Sequence, residues 1–77
     1  MKVKVLLFGK LAEEAGRHEL ELDKISSLED LKKQVLAQYP SFADNKFNIS
    51  VNQTLVRGNK KLADGDEIAL LPPFAGG

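Results

Sequence analysis

The residues with the most evident chemistry stand at the C-terminal end of the sequence. Gly76 and Gly77 have no side chains, and they follow the apolar pair Phe74-Ala75. A free carboxylate on two glycines would be the thinnest carboxyl group that a protein can present, able to pass through a narrow channel into a partner's active site. Termini are often disordered, so a frayed end is the alternative interpretation. The absence of charged side chains in this stretch and its start at the end of an apolar strand favour the threading tail.

A proline pair separates this end from the rest of the chain. Pro72 and Pro73 lack a backbone donor and hold φ near about −65°, so they cannot extend a ladder in mid-sheet. The last strand is therefore expected to end before them. We expect 1–77 to be a single domain in which 72–77 forms an extended C-terminal tail.

A terminal carboxylate needs activation before it can react, because a carboxylate in water is a poor electrophile. The simplest activated form is an acyl-adenylate made from ATP, which a thiol, an amine or a sulfur donor can attack. The sequence has no phosphate-binding glycine loop, no metal-ligand constellation and one histidine. We therefore expect no permanently bound cofactor and no metal, with ATP used in trans by an activating enzyme; on its own the chain is expected to be non-catalytic.

The other polar residues that could suggest a site have simpler interpretations. His18 is expected to be a solvated hairpin residue, and Lys60-Lys61 a solvated loop. The pattern Asp64-Gly65-Asp66 is typical of a turn more than of a cation site.

Composition excludes several classes of function. The 77 residues suffice for one small domain, with 43% hydrophobic and 29% charged residues. Eleven basic and eleven acidic residues cancel, which disfavours nucleic acid and anionic membranes as partners. Cysteine is absent, so any sulfur chemistry must use another group. The apolar run from Val5 to Phe8 is far shorter than a membrane span, and a cytoplasmic protein is expected.

Hydrophobic periodicity predicts a strand at each end, with a second strand and a helix following the first. The predicted helix starts after Ser27 as cap, with acidic residues in its first turn, and ends before Pro40. The strands are expected at 2–8, 18–22, 47–51, 54–56 and 67–71, with a short helical turn at 10–15.

This order predicts an α+β roll in which one main helix packs on one face of a mixed β-sheet. It matches the β-grasp arrangement, with the first and last strands adjacent and parallel. Strand alternation then places Leu6 and Phe8 beside Ala69 and Leu71 on the open face. Such an apolar patch usually marks a contact site. Partial cover by side chains of 10–15 is the alternative.

Several motifs together resemble one family, the sulfur carrier subunits of molybdopterin synthase, which are ubiquitin-like β-grasp proteins. The similarity covers essentially the whole chain, and its most specific part is the closing block with Asp64-Gly65-Asp66-Glu67, Pro72-Pro73 and the terminal glycines. Phe74 departs from the family, which more often has valine there. The other matching stretches are 5–8 with Ala15-Gly16, the helix from Ser27 to Pro40, and Val51 to Val56.

The resemblance implies a function. A ubiquitin-activating-type adenylyltransferase would adenylate Gly77, sulfur transfer would make a thiocarboxylate, and the tail from Pro72 to Gly76 would thread into the large synthase subunit. There the sulfur would pass to cyclic pyranopterin monophosphate in molybdenum cofactor biosynthesis. The resemblance also implies a heterotetramer with two large subunits and a partner-binding surface of Phe8, Leu55 and Leu71. The large subunit would supply the catalytic lysines.

Three other hypotheses remain from the sequence. A sulfur carrier of thiamine biosynthesis is also a β-grasp protein with Gly-Gly, although that family generally lacks the proline pair. A ubiquitin-like modifier would form isopeptide bonds with target lysines. A non-covalent interaction module would have an inert tail.

Overall fold

A computed structural model describes residues 2–44 and 47–71 of the chain. The predictions for the tail, from Pro72 to Gly77, therefore lie outside the described residues. The elements in chain order are strand β1 (Lys2–Leu7), helix α1 (Gly9–Ala15), strand β2 (Glu19–Asp23), helix α2 (Leu28–Gln38), a 3₁₀ helix (Pro40–Asp44), and strands β3 (Asn48–Val51), β4 (Thr54–Val56) and β5 (Glu67–Leu71).

The described strands form one mixed sheet in the order β2-β1-β5-β3-β4. The first and last strands are neighbours and run parallel, with Val5 opposite Ile68 and Leu7 opposite Leu70. The other three pairs are antiparallel. The predicted α+β β-grasp roll is therefore confirmed, including the adjacent and parallel first and last strands.

The hydrophobic core lies between one face of this sheet and α2. Alternate strand residues such as Val5 and Ile68 are fully buried there, as their period-2 pattern predicts. From α2 the core receives Leu28, Leu31 and Val35, three residues at helical spacing. The helix thus covers one face of the sheet.

Local signals fix the start of α2 as the sequence predicts. The Ser27 side chain accepts a hydrogen bond from the Asp30 backbone N–H at 3.3 Å, which satisfies one of the unpaired amides of the first turn. A second amide, that of Glu29, donates to Asn59 Oδ1 at 3.0 Å. A loop residue 30 positions away therefore contributes to the cap, and this contact ties the loop between β4 and β5 to the helix.

The segment after α2 differs from the prediction. The sequence analysis placed no helix or strand between the end of the main helix and the strand at 47–51, but the residues from Pro40 to Asp44 form a 3₁₀ helix with Phe42 fully buried. The Phe42 ring stacks on Tyr39 with centroids 5.2 Å apart. One aromatic residue among polar neighbours has no periodicity, so hydrophobic pattern could not identify it as core.

Strand boundaries differ by one residue in three places. β1 ends at Leu7, where Phe8 begins the turn into α1, and β2 spans Glu19–Asp23 in place of 18–22. β3 begins at Asn48, and Phe47, just before it, is partly buried against the core. These shifts leave every predicted inward and outward position unchanged, because the alternation of each strand is preserved.

Candidate functional site

The open face of the sheet carries a continuous row of small and apolar side chains. The pairing places Leu6 of β1 opposite Ala69 of β5, Ala69 opposite Ser50 of β3, and Ser50 opposite Leu55 of β4. Three strand spacings separate Leu6 from Leu55, about 14 Å. Residues far apart in the chain thus form one row across the sheet.

A second row lies beside the first, at the end of β5. Leu71 pairs with Asn48, and its side chain is half-buried. Phe8 follows β1 with extended backbone, at φ −129° and ψ 154°, so alternation places it on the same face as Leu6. Phe8 and Leu55 are the large hydrophobic residues that stay exposed among those described, at 44% and 65%.

We refer to Leu6, Phe8, Leu55, Ala69 and Leu71 as the open-face patch. The alternative that the segment 10–15 covers this patch is not supported, because Leu11 and Ala12 of α1 belong to the core on the other side of β1. Burying an apolar surface of this kind against a partner is favourable, and large exposed patches on small domains usually mark contact sites. Phe8, Leu55 and Leu71 therefore lie where a partner-binding surface needs them; their role in binding stays a prediction.

The opposite end of the same face is charged. Lys2 and Lys4 of β1 approach Glu21 and Glu19 of β2, with N···O distances of 4.0 Å in both pairs. Exposed pairs at this distance contribute little to stability. They place charged side chains at the start of β1 and along β2, where Glu19 lies opposite Leu6, whereas the side chains near the end of β5 are apolar.

The turn between β3 and β4 is hydrogen-bonded to the start of β5. Asn52 and Gln53 form the two-residue turn with φ of 50° and 71°, a conformation that asparagine tolerates better than most residues. The Asn52 backbone N–H donates to the Glu67 carbonyl at 2.8 Å, and the Glu67 N–H donates to Asn52 Oδ1 at 3.1 Å. Asn52 Nδ2 also donates to Asp66 Oδ1 at 3.1 Å.

Asp66 extends this network into the preceding turn. Its Oδ2 accepts a hydrogen bond from the Ala63 backbone N–H at 2.8 Å. That bond, and then the one from Asn52, lower the pKa of the Asp66 carboxyl below its ordinary value, because both donors stabilise the ionised form. The sequence motif Asp64-Gly65-Asp66 is therefore a turn, as predicted.

The other polar candidates also lie where the sequence suggested. His18 is exposed, and its backbone carbonyl accepts from the Leu7 N–H at 2.8 Å. Lys60 and Lys61 are exposed, with Lys61 paired through an isolated bridge to Ser27. Within residues 2–44 and 47–71, no group of acidic or histidine side chains could hold a metal ion. None of the helices in this part of the chain is long and apolar enough to span a membrane.

Sequence reasoning missed two features of this region. It treated Asn52 as a strand boundary, whereas Asn52 connects the β3–β4 turn to β5. It also did not place Ser50, which is 7% exposed, in the row between Ala69 and Leu55. An asparagine between two β-prone runs was the available sequence signal for the turn; no local signal pairs it with Asp66, 14 residues later.

Comparison with known proteins gives a consistent family assignment. The ThiS family model matches residues 5–77. Sulfur carrier subunits of molybdopterin synthase from Chlamydomonas reinhardtii and Escherichia coli are 42% and 38% identical, with 97–100% of this chain and 99–100% of each relative covered. The corresponding protein of Mycobacterium tuberculosis is 35% identical over all of this chain and 99% of its own length.

Solved structures agree on the fold. The putative molybdopterin converting factor subunit 1 of Pyrococcus furiosus has a TM-score of 0.85 at 28% identity, over 96% of this chain and 99% of that one. The small archaeal modifier protein 1 of Methanosarcina acetivorans has a TM-score of 0.84 at 30% identity, over 99% and 96%. A complex of subunits 1 and 2 of the molybdopterin-converting factor of Helicobacter pylori includes a chain with a TM-score of 0.76 at 30% identity and full coverage of both. The chain belongs to the ThiS family of ubiquitin-like β-grasp proteins, with molybdopterin synthase sulfur carrier subunits as its full-length relatives.

Proposed function

We propose that this chain is the sulfur carrier subunit of a molybdopterin synthase. The observation that carries the proposal is its full-length similarity, at 35–42% identity, to curated proteins of that name. The open-face patch supports it, because a carrier that acts in another protein's active site needs an exposed docking surface next to the strand from which its tail continues.

The proposed chemistry takes place at the Gly77 carboxylate. An adenylyltransferase of the ubiquitin-activating type would join this carboxylate to the α-phosphate of ATP and release pyrophosphate. A sulfur donor at the oxidation level of sulfide would then attack the acyl carbon, and the C–O bond to AMP would break. AMP leaves, and a C-terminal thiocarboxylate remains.

The thiocarboxylate would deliver its sulfur in the large synthase subunit. Its sulfur would attack an oxygen-bearing carbon of cyclic pyranopterin monophosphate, and the C–O bond at that carbon would break, with the oxygen leaving on the phosphate or as water. This gives a thioester between substrate and carrier. Water then cleaves the acyl–sulfur bond, so that sulfur stays on the pterin and Gly77 returns as carboxylate. Two such deliveries complete the dithiolene of molybdopterin, and ATP and the pterin are bound by the partners.

The large subunit is the proposed main partner. The Helicobacter pylori complex of subunits 1 and 2 supports this, since one of its chains matches this protein over its full length. Exposed Phe8 and Leu55 with half-buried Leu71 would form the contact, and Pro72 to Gly76 would thread toward the reacting centre. A heterotetramer with two large subunits is the expected assembly.

Intact-mass measurement tests the proposal directly. The chain is incubated with the adenylyltransferase, ATP and a sulfur source, and fragmentation then locates any mass change. Exchange of one oxygen for sulfur at Gly77, followed by molybdopterin formation when the large subunit and the pterin substrate are added, is the expected result. Absence of the exchange overturns the proposal, and a reaction without ATP serves as the control.

Further measurements separate the alternative functions. Higher-mass conjugates on a denaturing gel, lost when Gly77 is deleted, would indicate a protein modifier. Sulfur exchange at Gly77 with transfer only to a thiazole synthase would indicate the thiamine pathway. If deletion of Gly76 and Gly77 leaves molybdopterin formation unchanged, the chain is a non-covalent interaction module with an inert tail.

A further inference from the structure

The side chain of Asn52 occupies a position in the sheet that a backbone group normally fills. In a regular hydrogen-bonded antiparallel pair, two opposed residues exchange both N–H···O=C bonds. Asn52 and Glu67 make one of these bonds through the backbone, from the Asn52 N–H to the Glu67 carbonyl. The second, from the Glu67 N–H, ends on the Asn52 side-chain oxygen.

The reason is the backbone conformation of Asn52. Its φ of 50° turns the chain into β4 at this residue, so its own carbonyl no longer continues the ladder. The side-chain oxygen takes over that role while the side-chain nitrogen binds Asp66. Glycine would adopt the same φ but has neither group, and aspartate has the oxygen but cannot donate.

This arrangement connects the two strands that carry separate parts of the open-face patch. Leu55 lies on β4, three residues after Asn52, whereas Ala69 and Leu71 lie on β5, a few residues after Glu67. In the strand order, β3 lies between β4 and β5, so these two strands do not pair with each other. The hydrogen bonds of Asn52 with Asp66 and Glu67 therefore give the β4 turn a direct attachment to β5.

We propose that Asn52 and Asp66 are positioning residues for sulfur transfer: they hold Leu55 at a fixed register relative to β5 and Leu71, so that partner docking and tail delivery occur in one geometry. The inference rests on the proposed function, because the large synthase subunit is the partner whose docking it concerns. Neither residue would touch substrate; both act by placing the open-face patch.

An exchange of donor and acceptor tests the proposal. Asn52→Asp places two carboxylates in contact and removes the donor to Asp66. The double change Asn52→Asp with Asp66→Asn restores every hydrogen bond. The aspartate at position 52 accepts from the Glu67 N–H and from the side-chain amide at position 66. The side-chain oxygen at position 66 still accepts from the Ala63 N–H. We expect roughly tenfold weaker binding of the large subunit for the single variant, and recovery to within about twofold for the double variant.

A matched control separates positioning from stability. Asp30 accepts hydrogen bonds from the Ser26 hydroxyl at 2.6 Å and the Ser26 N–H at 3.2 Å, in an exposed network at the start of α2. Asp30→Asn should lower the free energy of unfolding yet leave the dissociation constant unchanged when both proteins are fully folded. Binding is measured by calorimetry at a temperature where circular dichroism shows all variants folded.

Amide hydrogen exchange supplies a second measurement that does not need the partner. Exchange at Glu67 and Asn52 should accelerate in Asn52→Asp and slow again in the double variant, whereas Asp30→Asn should leave both unchanged. If Asn52→Asp does not fold, Asn52→Gly replaces it as the test variant, because glycine keeps the positive φ and removes the side chain. Unchanged affinity in a folded Asn52 variant, or no recovery in the double variant, overturns the proposal. If the wild-type chain neither binds the large subunit nor gains sulfur, the proposed function is wrong. The amide hydrogen exchange rates still show in that case whether Asn52 attaches the β3–β4 turn to β5.

Discussion

Leu6 of β1 lies directly opposite Ala69 of β5 in the parallel pair that joins the two ends of the described chain. The pairing continues through Ser50 to Leu55, so residues from four strands form one row on the open face. The side chain of Ala69 is small, which leaves the larger side chains of Leu55 and Leu6 standing above the centre of the row. Apolar side chains therefore lie on both sides of β5, the strand that precedes the tail.

Leu55→Glu should weaken docking and leave stability nearly unchanged. Leu55 is 65% exposed in the free chain, so the variant loses little folding energy, but its carboxylate would be buried without a partner in the complex. We expect a loss of about 1–3 kcal/mol in binding free energy to the large subunit, measured by calorimetry. Thr54→Glu, on the opposite face of the same exposed strand, is the control. Equal binding by the two variants would remove Leu55 from the docking surface.

Gly77→Val should abolish sulfur transfer without affecting the fold. A β-branched side chain widens the end of the tail and restricts its backbone, so the carboxylate could not reach the activating site. The Gly77 variant should show no oxygen-to-sulfur exchange in the intact-mass assay and the same thermal unfolding midpoint as the wild type. Lys61→Val, which also introduces a valine but at an exposed position outside the tail, should still accept sulfur. Normal exchange in the Gly77 variant would contradict the threading tail.

Phe42→Ala should destabilise the protein strongly. Phe42 is fully buried and stacks on Tyr39, so its truncation removes apolar contacts and leaves a cavity. We expect a loss of about 3–5 kcal/mol in the free energy of unfolding, measured by urea denaturation. Phe8→Ala makes the same change at a residue that is 44% exposed, and its loss should be clearly smaller. Similar losses for the two variants would show that the 3₁₀ helix does not hold part of the core.

Stability should fall at acid pH through carboxyls whose folded-state pKa is depressed. The hydrogen bond from the Ala63 N–H lowers the pKa of the Asp66 carboxyl below the ordinary 3.8, and the hydrogen bond from the Ser26 hydroxyl does the same for the pKa of Asp30. Their contribution is therefore fully present above the unfolded pKa of 3.8 and is lost as the pH falls below it, through the lower folded values. Unfolding free energies measured between about pH 5 and pH 2 should decline over this window, and Asp66→Asn should reduce the decline. An identical pH profile for that variant would contradict the role of Asp66.

Much of the local structure could be predicted because its causes are local. Ser27 with an acidic first turn started α2, Pro40 ended it, and the period-2 pattern of β1 and β5 separated core residues such as Val5 and Ile68 from Leu6 and Ala69. These signals depend on residues within one turn or one strand. The order of the predicted elements indicated the β-grasp topology, and the family resemblance of the closing block indicated the roles proposed for Gly77 and the tail.

What the sequence by itself determined is thus the inward and outward sides of each strand, the capped helix and the chemistry available at a diglycine end. Only the tertiary structure decided that Leu55 joins the row of Leu6, that Phe42 fills the core, and that Asn52 completes the ladder of Glu67 and binds Asp66. The physical reason is range: alternation and capping act between near neighbours, whereas strand order, aromatic packing and side-chain bonds between separate turns depend on the whole chain closing around one core.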